Sequence, residues 1–169
     1  LHLEEIHLLG QSWGGMLAIE YLCDYKPKGI KSVILSSTLP SARLWAHEQH
    51  RLIKLMSLEE QAAIAKAEET GKFDDPDYLA NDHFMELHCA GEITEDSPEC
   101  LRRPKKNGGE AYLAGWGPNE YNPTGNLGNW DYREKLPEIK EPALIISGTN
   151  DLCTPLVAKT MYDAIPDSR

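Results

Sequence analysis

Leu8-Leu9-Gly10-Gln11-Ser12-Trp13-Gly14-Gly15 is the stretch on which the reading of this 169-residue chain turns. It sets a serine between two glycines in a Gly-x-Ser-x-Gly pattern, which is informative only in the right context. Ile6, Leu8 and Leu9 form a short apolar run ending at Gly10, and Met16, Ile19, Leu22 and Cys23 then recur on one helical stripe. The order is strand, sharp turn, helix. Lifting a serine hydroxyl off the end of a strand requires unusual backbone angles, and Gly10 and Gly14 are expected to relieve the crowding that β-carbons would cause. Ser12 therefore reads as a nucleophile, and the Trp13 N–H at the start of the helix as a donor to a developing oxyanion. A glycine- and serine-rich turn without chemistry is the alternative.

Working outward, residues 3–9 read as a first strand and residues 15–25 as the helix after it, stopped by Pro27 and Gly29. Ile30, Val33, Ile34 and Leu35 give a second buried strand that closes at Ser36-Ser37-Thr38-Leu39-Pro40. Two strands joined by a helix make a parallel βαβ unit, so the fold class is α/β. The run Ala143-Leu144-Ile145-Ile146-Ser147-Gly148 is a third strand, with Asp151 just past its end. Ligand chemistry in parallel sheets gathers at the carboxyl ends of strands, where Ser12 and Asp151 both fall.

Residues 41–130 have helical periodicity, many charges and no convincing strand, and read as a helical lid inserted into a core made of residues 1–40 and 131–169. One helix starts at Ser41 and carries Leu44, Trp45, Leu52, Ile53 and Leu55 on a broad apolar face. Ser57-Leu58-Glu59-Glu60 is a capping-box pattern for a second, ending at Gly71, and Asp75-Pro76 is expected to start a third. His47, His50, His83 and His88 read as helix-face side chains rather than metal ligands, since no carboxylate stands beside a His-x-x-x-His pair. From Glu110 to Asp131, aromatics among glycine, asparagine and proline suggest a loop-rich pocket.

Composition narrows the function classes. The net charge of −10 argues against nucleic acid or an anionic membrane as partner, because Arg102-Arg103-Pro104-Lys105-Lys106 is the sole basic cluster and reads as a solvated loop. Four cysteines without a Cys-x-x-Cys spacing indicate neither a zinc site nor a redox pair, so reduced thiols and a cytoplasmic location are expected. No metal and no cofactor is called for. No run approaches a membrane span, and a chain that opens on Leu1 rather than methionine is silent about targeting.

The order of serine, second strand, helical insertion, third strand and aspartate resembles the carboxyl-terminal portion of an α/β-hydrolase. More narrowly, Gly10-Gln11-Ser12-Trp13-Gly14-Gly15, Gly117-Pro118-Asn119-Glu120-Tyr121 with Trp130-Asp131, and Gly148-Thr149-Asn150-Asp151 with Thr154-Pro155 resemble the proline iminopeptidase family of serine peptidases. The resemblance implies removal of an N-terminal residue from small peptides, or cleavage of aminoacyl amides, with an acyl-enzyme on Ser12. Asp151 would orient a general-base histidine, and Trp13 would supply half the oxyanion hole. Glu120 matches the glutamate that pairs with the substrate ammonium, with Trp116 and Tyr121 beside it; by itself this residue reads equally as a solvated loop position.

Two features depart from the family pattern. Leu152 stands where some members carry a second ammonium-binding glutamate, so strict proline specificity is not implied. All six histidines lie at or before His88, ahead of Asp151, and no glycine-rich oxyanion loop precedes the elbow. The expectation is a piece of a longer enzyme, nearly inert alone and exposing apolar sheet surface. An ester or lactone hydrolase of the same fold, or a noncatalytic hydrolase-like binding module, are the competing readings.

Overall fold

The structure is a computed structural model that describes residues 4–73, 78–104, 106 and 108–169. The chain forms two compact units, the first made of Leu1–Gln49 with Asn129–Arg169 and the second of His50–Gly128.

The first unit is built on three parallel strands, β1 (Ile6–Gln11), β2 (Ile30–Ser36) and β3 (Ala143–Ile146), in the order β1-β2-β3. Pairing of Leu8 with Val33 and of Val33 with Ala143 puts these three side chains in one row, and Gly10, Leu35 and Ile145 form the next row on the same face. That face packs on Ala18, Ile19, Leu22 and Cys23, and on Met161 and Ile165. Burying each of the larger aliphatic side chains here contributes roughly 1.5–3 kcal/mol. The opposite face carries Leu9, Ile34 and Leu144, with Leu9 63% and Leu144 44% exposed.

Several boundaries differ from the sequence reading. β1 begins at Ile6 and runs through Gln11, so the strand delivers the chain directly to Ser12. The helix after it, α1, spans Trp13–Glu20 and then widens into a π-type turn over Tyr21–Tyr25, closed by Lys26 in a left-handed conformation (φ 45°). In this segment Glu20 accepts from the Trp130 indole (2.9 Å) and Asp24 from the Tyr132 hydroxyl (2.6 Å). A further helix, α7 (Pro155–Ala164), follows β3, although the sequence reading stops at Thr154-Pro155. Its signal is present: the Thr154 hydroxyl caps the Val157 N–H, and proline occupies the first turn. Beyond it, Asp167 and Arg169 pair in parallel with the outer edge of β3 through Ala143 and Ile145.

α2 (Ala42–Ile53) starts in the first unit and its last residues belong to the second. The second unit then contains α3 (Leu58–Thr70), α4 (Ala80–His88), α5 (Glu99–Arg102) and α6 (Gly109–Gly115). The capping box is present at Ser57 and Glu60, and Gly71 closes α3 in the left-handed region. The Asp75-Pro76 helix start lies outside the described residues. α5 and α6 correct the reading of this region as loop; Arg102 ends α5, and both helices are too short to show periodicity. His50 bonds Glu68 at 2.9 Å and His83 bonds Glu60, so these histidines join neighbouring helices.

The Ser57 hydroxyl, and after it His83, hold the Glu60 carboxyl down to about 2. A depressed carboxyl contributes stability above its unfolded value, and that contribution is lost as pH falls toward the folded one. Ser57→Ala is expected to lower stability by about 1 kcal/mol at neutral pH. Denaturant unfolding at pH 7 and pH 3 should show a smaller acid-dependent loss in the variant than in the parent.

Candidate functional site

β1 ends against β2: the Ser12 N–H donates to Ser36 O at 3.0 Å, continuing the ladder one residue past the strand. The chain must then reverse into α1 at once. Ser12 accordingly takes φ 52° and ψ −126°, a conformation costing about 1–3 kcal/mol for a residue with a β-carbon. What holds it there is a set of bonds to its carbonyl, which accepts from the Thr38 hydroxyl at 2.7 Å and from the Gly15 N–H at 2.8 Å. The Ser12 side chain is exposed. Trp13 is the first residue of α1, so its N–H has no acceptor one turn earlier in the helix.

The glycines divide differently from expectation. A β-carbon on Gly10 would lie 2.4 Å from Gly14 O and 2.6 Å from Gly15 Cα, so there is no room for a side chain there. Nothing described lies within 4 Å of a β-carbon on Gly14, whereas one on Gly15 would meet the Thr38 hydroxyl at 2.3 Å. The close approach is made by the third glycine, where α1 crosses the segment after β2.

Asp151 sits beyond the end of β3, across β2 from Ser12. Its Oδ2 accepts from the Ser37 hydroxyl at 2.6 Å and the Gly148 N–H at 3.3 Å, and its Oδ1 accepts from the Cys153 N–H at 2.8 Å. Ser37, also at positive φ (45°), is a site residue that the sequence reading did not pick out. Its signal was the Ser36-Ser37-Thr38 run: Ser36 receives Ser12, Ser37 holds Asp151 and Thr38 holds the elbow. Burial, with Asp151 beside it, pushes the Cys153 thiol up to about 12, so it is a packed thiol rather than a nucleophile. No histidine hydrogen-bonds Asp151 among the described residues; His7 bonds Ser32 instead, at 2.7 Å.

Glu120, Trp116 and Tyr121 belong to the second unit. The Trp116 indole donates to Glu120 O at 3.3 Å, and the turn between them uses Gly117 at φ 127°, where the hydroxyl of Thr124 would lie 2.7 Å from a β-carbon. Burial raises the Glu120 carboxyl, while a hydrogen bond from Tyr112 opposes the rise. Tyr121 is fully buried, with its ring edge-on to Phe84 at 5.7 Å and to His50 at 6.3 Å, and its hydroxyl finds no hydrogen-bond partner among the described residues. The aromatic that reads in sequence as a pocket wall is a core residue of this unit.

A serine hydroxyl presented on a strained turn, beside a helix-terminal N–H and a carboxylate fixed by three donors, is an arrangement suited to acyl transfer once an imidazole bridges the two. Comparison with known proteins shows the family of the chain. A sequence model of the alpha/beta hydrolase fold matches residues 1–169. The chain is 61% identical over 170 residues to the proline iminopeptidase of Clostridioides difficile (strain 630) and 62% identical to that of Lactobacillus delbrueckii subsp. lactis, covering 100% of this chain and 58% of each relative. Among solved structures, the proline iminopeptidase of Mycobacterium smegmatis superposes with a TM-score of 0.79 at 33% identity over 98% of this chain and 56% of that one. The structure of VinJ superposes with a TM-score of 0.84 at 27% identity, covering 99% and 57%.

Proposed function

Since the chain belongs to the α/β-hydrolase fold family, we propose that it forms the nucleophile-bearing part of a serine hydrolase that removes N-terminal residues from small peptides or cleaves aminoacyl amides. The observation that carries this reading is the backbone of Ser12, held at positive φ between a strand end and a helix start. The chain spans 58% of the length of the curated relatives it matches, so the activity is proposed for the longer protein.

In this reading the Ser12 hydroxyl attacks the scissile carbonyl and passes its proton to an imidazole that Asp151 orients. The Trp13 N–H stabilises the oxyanion, and collapse of the tetrahedral intermediate releases the amine and leaves the acyl group on Ser12. Water then hydrolyses the ester by the same steps. Glu120 anchors the free ammonium of the substrate, with Trp116 fixing the backbone that presents it. An anchor of this kind rewards a free amine and disfavours a blocked one.

The test compares an alanyl or prolyl arylamide with its N-acetyl counterpart in a full-length protein containing this chain. Glu120→Ala is expected to lower kcat/KM for the free amine by roughly 10–100-fold, the value of a lost charge-assisted hydrogen bond, and to leave the blocked substrate unchanged. Because burial raises the Glu120 carboxyl, the anchor is charged only above that raised value, and KM should climb as pH falls through it. Equal loss for both substrates would remove the exopeptidase reading, while esters cleaved in preference to arylamides would favour an esterase.

A further inference from the structure

Ser12 and Asp151 are held by different means. The serine inherits its position from a strand ladder, whereas Asp151 stands on the Gly148–Thr154 loop, whose backbone bonds include a 3.4 Å contact from Asp151 N to Gly148 O, a 3.0 Å bond from Thr154 N to Leu152 O and a 3.0 Å bond from Ala158 N to Thr154 O. Side chains from outside the loop also bond it. One of these comes from the segment after β2, where the Ser37 hydroxyl bonds the carboxylate; in the opposite sense, the loop's own Cys153 thiol donates to the Thr38 backbone carbonyl at 2.7 Å. The others come from α2. The Gln49 amide donates to Leu152 O at 2.8 Å, and the Glu48 carboxylate accepts from the Thr154 hydroxyl at 2.9 Å. Both α2 side chains are fully buried, although glutamate and glutamine seldom are. Leu152 and Thr154 alternate with Cys153, whose N–H bonds the carboxylate, so α2 grips the loop on either side of the donor that sets Asp151.

We propose that Glu48 and Gln49 are positioning residues for the catalytic acid: by fixing Leu152 and Thr154 they hold the Cys153 N–H, and through it the Asp151 carboxylate, where it can orient the base. The inference rests on the reading of Asp151 as the acid of a serine hydrolase. The hydrogen bonds from Gln49 and to Glu48 are directional, so shape-conserving substitutions separate positioning from packing. Gln49→Met keeps the volume and removes the donor. Thr154→Val keeps the volume and removes the hydroxyl, which also caps the Val157 N–H, so Cys153 exchange is read against that of the α7 amides, while Thr154→Ser restores the hydroxyl.

The experiment uses the full-length protein containing this chain. Amide hydrogen exchange at Cys153 is followed alongside thermal melting, and steady-state kinetics on an alanyl arylamide are measured across pH. Gln49→Met and Thr154→Val are expected to speed Cys153 exchange about tenfold or more relative to the sheet and α7 amides, which a uniform loss of stability would not do. They should lower kcat about tenfold with KM little changed, and move the acid limb of the kcat/KM profile to lower pH because the imidazolium loses its partner. Thr154→Ser should restore all three readouts, and it carries the test even if Gln49→Met does not fold. If the parent cleaves no arylamide but Cys153 exchange still responds, the functional reading falls and the positioning of Asp151 stands. Variants with unchanged exchange, kcat and acid limb would overturn the inference.

Discussion

Ser12→Ala is expected to lower kcat on alanyl and prolyl arylamides by about 10⁶-fold in the full-length protein, leaving the small residual rate that binding and the oxyanion donor supply without a nucleophile. The size of the effect follows from the way the site is divided. Trp13 and Asp151 are positioned by bonds that do not involve the Ser12 hydroxyl: α1 begins at Trp13 whatever side chain precedes it, and Asp151 is held by Ser37, Gly148 and Cys153. Removing the hydroxyl therefore deletes the reacting atom and little else. The fold should be unaffected, since the Ser12 bonds to Ser36, Thr38 and Gly15 all run through its backbone. Ser12→Gly should be equally inactive but more stable by about 1 kcal/mol, because glycine accepts φ 52° without strain. Kinetics with parallel denaturant unfolding check both halves. Activity in Ser12→Ala above a thousandth of the parent would remove Ser12 as nucleophile.

Gly10→Ala carries the second large effect, this time on the fold. The added methyl would stand 2.4 Å from Gly14 O and 2.6 Å from Gly15 Cα, both backbone atoms that no rotamer change can move aside. Relief requires α1 to shift away from β1, yet α1 is anchored in the core through Ala18 and Ile19, and the π-type turn that continues it through Leu22. A cost of about 3 kcal/mol or more is expected, at the upper end for overpacking. Gly14→Ala is the contrast. It sits in the first turn of α1 with no described atom within 4 Å of its β-carbon, and alanine favours the helix by up to about 1 kcal/mol. Unfolding midpoints should thus move in opposite directions for two substitutions that the sequence pattern treats alike.

Much of the first unit was legible before any coordinates. Short β-branched runs separated by a helical stripe admit few arrangements other than parallel strands, and the third run at Ala143–Ile146 joined them as expected. The proline iminopeptidase resemblance, carried by the elbow, the Gly-Pro-Asn-Glu stretch and the Asp151 segment, is matched by 61–62% identity to curated members. Less was legible in the second unit. α5 and α6 are only four and seven residues long and bury no side chain, so they leave no apolar stripe to read. Tyr121 looked like a pocket wall because composition cannot tell an aromatic that lines a cavity from one that fills a core.

The sequence alone determined the local chemistry: which residue is presented at the strand-to-helix turn, where α3 is capped, and which carboxylate follows the third strand. Those features depend on neighbours a few residues apart, and the backbone rules governing them act at that range. Tertiary structure alone decided that Gly15 rather than Gly14 makes the close approach, that Ser37 holds Asp151, and that Glu48 and Gln49 grip the loop carrying it. Each of these pairs residues 23 to more than 100 positions apart, brought together by the parallel register of the sheet. No periodicity along the chain records such a meeting, because it is set by where the strands end in space.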